Sequence, residues 1–269
     1  MIDIESILSK HNIRSKKYMG QNFLIDKNVL DKIIEAAEIK NTDTILEVGP
    51  GLGTLTIALA KKAKQVVAVE KDKTLCQALE KILKDQKISN VKLINGDILK
   101  IPDFEIKNYK LVANIPYYLT SPLIRKFLEA DYKPSEIILM VQKEVAQRIT
   151  ANPPKMSILS VAVQFYAEPQ IIDYVAKTSF LPVPKVDSAI IKIIPRPDVG
   201  RVGRATSHIN TEKFFGLVKR GFSAKRKMLK NNLPEINLEK FGFNPKIRAE
   251  NLSVNDWLKI FATLSYIDK

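Results

Sequence analysis

The chain has 269 residues, enough for one large domain and a smaller one. Hydrophobic residues make up 45% of the chain and charged residues 27%, which excludes the apolar depletion of a disordered protein. A formal net charge of +14 points to a polyanionic partner, while one cysteine and two histidines exclude a disulfide framework and predict no metal site.

The N-terminal region contains no targeting signal that the sequence reveals. Asp3 and Glu5 interrupt it, and no apolar run long enough for a signal peptide or a membrane span follows. We therefore expect a cytoplasmic protein without a membrane partner.

A basic arm at residues 11–17 leads into a loop at residues 20–26, and the spacing of apolar residues then predicts a helix from Val29 to Ala37.

Apolar runs typical of β-strands then alternate with helical patterns. The predicted strands are Thr44–Val48, Val66–Glu70, Val91–Ile94, Lys110–Asn114 and Ile137–Val141. Such alternation predicts a doubly wound, Rossmann-like α/β fold whose parallel sheet is covered on both faces. Two further β-rich runs, Gln170–Val175 and Ser188–Ile194, have no long helix between them, so we expect an antiparallel pair to finish the sheet.

The C-terminal quarter has a different character. Residues 195–200 read as a linker, and apolar residues beyond them recur at helical spacing. Residues 196–269 hold 15 basic and seven acidic residues, a net +8 of the total +14. The sequence therefore predicts a catalytic domain over residues 1–195 and a small, basic, all-α domain over residues 196–269 that binds RNA.

A glycine-rich loop follows the first predicted strand. It comprises Glu47 to Gly53, and Glu70 ends the second strand 23 positions after Glu47. Glycines at 49, 51 and 53 permit a tight turn and close approach to a ligand, and Glu70 can accept hydrogen bonds from both hydroxyls of a ribose. Because the spacing is G-x-G-x-G and no Lys-Ser/Thr pair follows, a P-loop is excluded and a dinucleotide site is less favoured.

Asp97 follows the third predicted strand, after Gly96. Its carboxylate would lie beside the same crevice and suits the amino group of an adenine. Together with Glu70 it predicts a site for an adenosyl ligand.

The sequence Asn114-Ile115-Pro116-Tyr117 ends the fourth predicted strand and indicates methylation of an amine. The lone pair of adenine N6 is delocalised into the ring, so N6 attacks only when acceptors hold its N–H groups and favour a pyramidal nitrogen. Asn114 Oδ1 and the Ile115 carbonyl could be those acceptors, Pro116 fixes the backbone, and Tyr117 offers a stacking face. Transfer of a methyl group would then depend mainly on positioning.

A target adenine has to leave its helical stack to reach such a site, which calls for a second aromatic face and a basic docking surface. Phe180, next to a proline-rich stretch, is the candidate for the aromatic face. The predicted phosphate contacts lie in one basic run without an acidic residue: Lys219, Arg220, Lys225, Arg226, Lys227 and Lys230.

Taken together, these motifs resemble those of the ribosomal RNA adenine dimethyltransferase family, from Gly20 to about Ile194 and more loosely through the tail. The resemblance rests on Gly20–Leu24, Glu47–Gly53, Glu70, Gly96-Asp97, Asn114–Tyr117 and Leu181–Ser188. It implies a class I methyltransferase fold with S-adenosylmethionine as cofactor. By resemblance, Asn22 and Leu24 cover the methionine end of the cofactor, Gly49 contacts it through the loop, and Asn114 lines both cofactor and target.

Within the family, the Gln-Asn-Phe-Leu segment and the Val-Asp-Ser ending of the proline loop resemble bacterial members that dimethylate two adjacent adenosines near the 3′ end of small-subunit RNA. That resemblance implies 16S ribosomal RNA in the pre-30S subunit as the partner. Two alternatives stay open: a 23S ribosomal RNA adenine methyltransferase, and a ribosome-assembly or nucleic-acid-binding factor with secondary methylation. No exposed apolar pattern demands a second subunit, so we expect a monomer.

Overall fold

The computed structural model describes residues 4–10, 20–102, 106–196, 209–224 and 226–265. The predicted basic arm and most of the predicted linker lie outside the described residues. The chain divides into two compact units: Met1–Ala146 with Pro169–Pro195, and Gln147–Glu168 with Arg196–Lys269. This division differs from the predicted one, because residues 147–168 group with the C-terminal segment instead of the catalytic domain.

A seven-stranded sheet organises the first unit. Its strands are β2 (Thr44–Val48), β3 (Gln65–Glu70), β4 (Val91–Asn95), β5 (Tyr109–Asn114), β6 (Glu136–Gln142), β7 (Ala167–Val175) and β9 (Ser188–Pro195). They lie in the order β4-β3-β2-β5-β6-β9-β7. The first five strands pair in parallel, and β9 pairs antiparallel to β6. This confirms the predicted α/β sheet.

Helices cover the sheet because their apolar faces need burial. The helices of the first unit include α1 (Ile4–Lys10), α2 (Lys27–Ala36), α3 (Thr54–Ala60), α4 (Lys73–Asp85), α5 (Thr120–Glu129) and the start of α6 (Lys143–Ile149). Ile33 of α2 packs with Ile45, Val112 and Ile138 of the sheet in one core cluster. Asp26 and Asp72 cap α2 and α4 by accepting hydrogen bonds from first-turn amides.

A second, two-stranded sheet was not predicted. Strand β1 (Phe23–Leu24) pairs antiparallel with β8 (Phe180–Leu181), so that Phe23 faces Leu181 and Leu24 faces Phe180. The Ile25 amide adds a hydrogen bond to the Ser179 carbonyl at 2.9 Å. Two segments that the sequence assigned to separate loops are therefore one structural element.

The second unit is helical where it is described. It contains α7 (Ile158–Tyr166), α8 (Thr211–Gly221), α9 (Leu229–Asn232) and α10 (Val254–Ser265). Phe165 stacks on Phe214 with ring centroids 4.8 Å apart, and Phe261 meets Phe214 edge to face at 5.6 Å. These rings explain why α7 belongs to this unit. None of the described helices has the length and apolar character needed to cross a bilayer.

Candidate active site

A cleft of about 1150 Å³, counted out to its open mouth, lies at the carboxyl ends of the parallel strands. Every residue that lines it belongs to the first unit. The lining comprises residues 20–24, 47–52, 54–55, 69–71, 96–99 and 114–119, with Leu75 and Phe180. Because the carboxyl ends of parallel strands meet at one edge of a sheet, the loops that follow β2, β3, β4 and β5 converge here.

The glycine-rich loop forms one wall of this cleft. Gly49 and Gly51 line the cleft and have φ of +69° and +58°. The Gly51 amide donates a hydrogen bond to Glu70 Oε2 at 3.1 Å, which ties the loop to the end of β3. A left-handed backbone at these positions favours glycine, so the turn explains the motif.

Gly53 is not among the residues that line the cleft. It caps α3 with φ of +87°, and a Cβ at this position would lie 2.4 Å from Leu79 Cδ1 of α4. Leu79 is fully buried and belongs to the core between α3 and α4. The structure thus gives Gly53 a packing role, whereas the sequence predicted a contact with the cofactor.

Glu70 ends β3 and is only 6% exposed. Its Oε1 accepts the Asp72 amide at 2.8 Å and its Oε2 accepts the Gly51 amide. Burial raises the pKa of the Glu70 carboxyl, and these backbone hydrogen bonds oppose that rise. Since a carboxylate has about four acceptor positions and the backbone amides of Gly51, Lys71 and Asp72 use up to three of them, Glu70 keeps acceptor capacity for a ribose hydroxyl.

Glu47, at the end of β2, is a candidate that the sequence left without a role. It lines the cleft, is 1% exposed and neighbours the buried Thr56 hydroxyl, which opposes the rise in its pKa. Neither Glu47 Oε2 nor Thr56 Oγ1 makes a well-formed hydrogen bond among the described residues. Burial raises the pKa of the Glu47 carboxyl to about 8. A buried acceptor without a donor is costly, so this carboxyl gains from any ligand that brings a donor or a positive charge. The signal available in the sequence was its position, an acidic residue ending the first strand.

Asp97 lies beside the cleft beyond the end of β4, as predicted for its position. Its Oδ1 accepts the Leu99 amide at 3.1 Å, and its Oδ2 forms an ion pair with Lys71 Nζ at 2.9 Å. The hydrogen bond from Lys71 lowers the pKa of Asp97 below its ordinary value. Asp97 is therefore a carboxylate already engaged by a neighbouring cation, which the sequence did not reveal.

The Asn114–Tyr117 motif begins with the last residue of β5, and all four of its residues line the cleft. Asn114 Nδ2 donates to the backbone carbonyl of Asn22 at 3.4 Å, which uses the amide nitrogen and leaves Oδ1 as the acceptor. The Tyr117 hydroxyl is 2.8 Å from Ser188 Oγ, a fully buried group at the start of β9. This contact anchors the half-buried Tyr117 ring at the edge of the cleft.

Phe180 lines the cleft but is only 1% exposed. It belongs to the core cluster that contains Leu24, Val112 and Met140. The predicted second stacking face is thus a ring packed in the wall of the cleft and held by the β1–β8 pairing. Its role toward a target base stays a prediction.

The segment that precedes β1 is fixed to the same site. Asn22 and Leu24 line the cleft, and their contact with the methionine end of the cofactor stays a prediction. Gln21 Nε2 donates to Asp72 Oδ2 at 3.0 Å, and Asn22 Nδ2 donates to the Gly20 carbonyl at 3.2 Å. These bonds hold the segment between the N-terminus of α4 and the Asn114 motif.

The basic run of the second unit is exposed where it is described. Lys219, Arg226, Lys227 and Lys230 are exposed, while Lys225 lies outside the described residues. Arg220 forms an ion pair with Glu235, so its charge is partly neutralised. The described charged groups of this run are therefore accessible to an anion in the structure as it stands.

Comparison with known proteins agrees with this geometry. A family model described as ribosomal RNA adenine dimethylase matches residues 11–265. The ribosomal RNA small subunit methyltransferase A of Dehalococcoides mccartyi is 42% identical, over 97% of this chain and 92% of the relative.

Two solved structures share the fold over nearly the whole chain. A dimethyladenosine transferase from Plasmodium falciparum has a TM-score of 0.78 at 29% identity and covers 91% of this chain and 98% of that one. The 23S rRNA methyltransferase ErmE has a TM-score of 0.74 at 27% identity, with 91% and 100% covered. The family resemblance and the fold class inferred from the sequence are confirmed.

Proposed function

Because the chain belongs to the ribosomal RNA adenine dimethylase family, we propose that it transfers methyl groups from S-adenosylmethionine to N6 of two adjacent adenosines near the 3′ end of 16S ribosomal RNA. One observation carries this proposal: the amine-methylation motif, Asn114 to Tyr117, lines the same cleft as the nucleoside-binding carboxylates Glu70 and Asp97. The methyl donor and the adenine that accepts the methyl group can therefore meet within one cleft. The relatives named as small-subunit methyltransferases support 16S over 23S RNA.

The nucleoside end of the cofactor fits the residues at the ends of β3 and β4. Glu70 offers its remaining acceptor capacity to a ribose hydroxyl, and Asp97 offers an acceptor to the adenine amine. Gly49 and Gly51 line the cleft with left-handed backbones, so the loop can approach a ligand closely.

The amino-acid end fits Glu47. Glu47 lines the cleft, its Oε2 is buried without a well-formed hydrogen bond among the described residues, and the cofactor carries an ammonium group. An approaching cation favours the ionised carboxylate, so binding there would lower the raised pKa of Glu47. Asn22 and Leu24 would cover this end of the cofactor.

When bound, the cofactor supplies a methyl group activated by a positively charged sulfur. Asn114 Oδ1 and the Ile115 carbonyl then hold the N6 hydrogens of the target adenine and orient its lone pair toward that methyl group. Tyr117, anchored by Ser188, stacks on the base and fixes its plane. These residues work by positioning, which alone accounts for large rate enhancements in oriented reactions.

The second methyl transfer imposes a different hydrogen-bond pattern. The first transfer would replace one N6 hydrogen by a methyl group, with S-adenosylhomocysteine as the leaving group and the proton passing to water, because the Asn114 and Ile115 oxygens are too weakly basic to keep it. N6 would then keep one N–H, so only one of the two acceptors could be used, and the cleft would have to accommodate the methyl group already present. The basic run of the second unit supports binding of the RNA backbone through phosphate contacts. A monomeric state, a cytoplasmic location and the absence of a metal stay predictions.

The direct test is transfer of labelled methyl from S-adenosylmethionine to under-methylated 30S particles, followed by nucleoside analysis. We expect N6,N6-dimethyladenosine in 16S RNA. Asn114→Ala should lower the rate by roughly 100-fold or more, since it removes an acceptor used in the transition state. Asn152→Ala, at an exposed position of the second unit, is the matched control and should transfer at the wild-type rate.

The other outcomes separate the alternatives. Label in 23S RNA alone would assign the chain to the large-subunit enzymes. Tight binding to 30S particles without transfer, equal in wild type and Asn114→Ala, would indicate an assembly factor.

A further inference from the structure

Lys71 forms an ion pair with Asp97, the carboxylate that is predicted to bind the adenine amine of the cofactor. Its Nζ lies 2.9 Å from Asp97 Oδ2, and the other oxygen of Asp97 accepts the Leu99 amide. Both Lys71 and Asp97 line the cleft. A nucleoside that enters this end therefore meets an acceptor already paired with a charged donor.

The contact follows from the register of the sheet. Strands β3 and β4 are parallel, and Glu70 pairs with Asn95. Lys71 follows Glu70 directly and Asp97 follows Asn95 by two residues, so both side chains extend from the same edge of the sheet. The ion pair also raises the pKa of Lys71 and lowers that of Asp97, which keeps both groups charged at neutral pH.

The pair is weak enough to be displaced. The Lys71 side chain is 54% exposed and that of Asp97 is 19% exposed. Exposed ion pairs are worth little because water and salt screen them, so displacement costs about twofold to fivefold in affinity. The lysine side chain is long and can turn its ammonium into solvent without losing the packing of its stem.

The displaced ammonium would reach the side of the cleft where the target base enters. Tyr118 follows Tyr117 of the methylation motif, lines the cleft and is 58% exposed. Tyr118 lies close enough to contribute to the raised pKa of Lys71. A phosphate that approached this part of the cleft with the target strand would meet a free cation there.

We propose that Lys71 serves both substrates in turn: it pairs with Asp97 while the nucleoside end is free, is displaced by the adenine amine of the cofactor, and then contacts a phosphate of the bound RNA. The proposal rests on the proposed function, because it needs an adenosyl cofactor and an RNA substrate. It makes cofactor and RNA binding mutually reinforcing, by the same factor in either order. That factor equals the cost of breaking the ion pair.

The test compares wild type with Lys71→Met, which keeps the aliphatic stem and removes the charge. S-adenosylhomocysteine is titrated by calorimetry, and unmethylated 30S particles are titrated with and without it. We expect Lys71→Met to bind S-adenosylhomocysteine about twofold to fivefold more tightly. In wild type S-adenosylhomocysteine should tighten 30S binding by a similar factor, and in Lys71→Met this effect should vanish.

Salt supplies an independent signature. Raising the KCl concentration screens the Lys71–Asp97 pair, so S-adenosylhomocysteine should bind wild type somewhat better at high salt and Lys71→Met equally well at both. With S-adenosylhomocysteine present, the salt dependence of 30S binding should be smaller in Lys71→Met by about one phosphate contact.

Two variants control for other effects of the substitution. Lys73→Met removes an exposed charge two residues away and should keep the wild-type response to S-adenosylhomocysteine. In an Asp97→Asn background, Lys71→Met should no longer tighten S-adenosylhomocysteine binding, since the ion pair is already absent.

The proposal is overturned if Lys71→Met binds S-adenosylhomocysteine less tightly than wild type or with equal affinity, or if 30S binding stays coupled to S-adenosylhomocysteine in this variant. Wild-type protein that binds neither S-adenosylhomocysteine nor 30S particles would overturn the proposed function itself. Failure of this proposal is therefore measured on Lys71→Met, and failure of the proposed function is measured on the wild-type protein.

Discussion

At the residue scale, Glu47 has the most strongly perturbed acid–base equilibrium described for the site. Its carboxyl is 1% exposed, and burial raises its pKa to about 8. A neutral carboxyl at physiological pH can donate a hydrogen bond as well as accept one, and it becomes an anion only when a cation compensates for the lost hydration. Glu47 is thereby suited to hold the ammonium end of a cofactor while costing less in the free protein than a buried anion.

The raised pKa of Glu47 predicts how stability depends on pH. Between about pH 4.5 and 8 the folded state keeps the Glu47 proton while the unfolded chain releases it, so the free energy of unfolding falls as pH rises through this window. The slope approaches about 1.4 kcal/mol per pH unit. Glu47→Gln removes this contribution, and its stability relative to wild type should increase from pH 5 to pH 8.

Urea unfolding of both proteins at several pH values measures this difference. Glu80→Gln, at an exposed position of α4, controls for the loss of a surface carboxylate. A wild-type protein and a Glu47→Gln variant with parallel pH profiles would show that Glu47 is ionised when buried.

At the element scale, the turn between β2 and α3 combines a ligand-facing part with a packed part. Gly51 lines the cleft. Gly53 packs against α4, and a Cβ added at Gly53 would lie 2.4 Å from Leu79 Cδ1. Both glycines belong to one sequence motif, yet they are needed for different reasons. The motif therefore carries a fold requirement as well as a binding requirement.

Gly53→Ala should destabilise the protein by about 2 to 4 kcal/mol, because alanine is strained at φ of +87° and its Cβ has no room beside buried Leu79. Gly216→Ala is the matched control: a Cβ there meets nothing within 4 Å in the interior of α8, so we expect a gain of about 0.5 to 1 kcal/mol. Denaturation followed by circular dichroism measures both. Unchanged stability of Gly53→Ala with weaker S-adenosylhomocysteine binding would instead support the predicted ligand contact.

The β1–β8 pairing links two parts of the site that lie far apart in the chain. Asn22 and Leu24 adjoin the predicted cofactor end, and Phe180 adjoins the predicted target end. Because backbone hydrogen bonds join the two strands, a shift of one segment would be transmitted to the other. The segment predicted to cover the cofactor and the segment predicted to contact the target base thus form one element.

At the scale of the whole molecule, more than half of the net charge of +14 lies outside the unit that holds the cleft. The carboxylates and the methylation motif belong to the first unit, whereas residues 196–269 carry a net charge of +8. Long-range attraction of a polyanion depends on accumulated charge, and adenine recognition depends on a few well-placed groups. The division suits a protein that binds a large RNA and modifies one short part of it.

Charge reversal in the second unit tests this division. Lys227→Glu with Lys230→Glu should weaken 30S binding and reduce its salt dependence by about two phosphate contacts, while S-adenosylhomocysteine affinity stays at the wild-type value. Lys81→Glu with Lys84→Glu places the same charge change on exposed positions of α4. Filter binding at several salt concentrations measures both, and an equal loss in the two double variants would show that total charge matters more than its location.

The sequence by itself determined the five parallel strands, β2 to β6, and their order along the chain, together with the functional residues at or just beyond their carboxyl ends. Periodicity of apolar residues is a local property, and the right-handed crossover of parallel strands brings successive strand ends to one edge. Glu70, Asp97 and Asn114 were therefore expected in one cleft, and the structure places all three there.

The tertiary structure alone decided how those residues are paired and buried. Pairing of Phe23 with Leu181, burial of Phe180 and the clash that explains Gly53 each involve residues distant in sequence. The two-residue strands carry too short a pattern to be recognised, and the Lys71–Asp97 ion pair depends on the register between two strands. Contacts of this kind are set by packing of the whole chain, so no local pattern contains them.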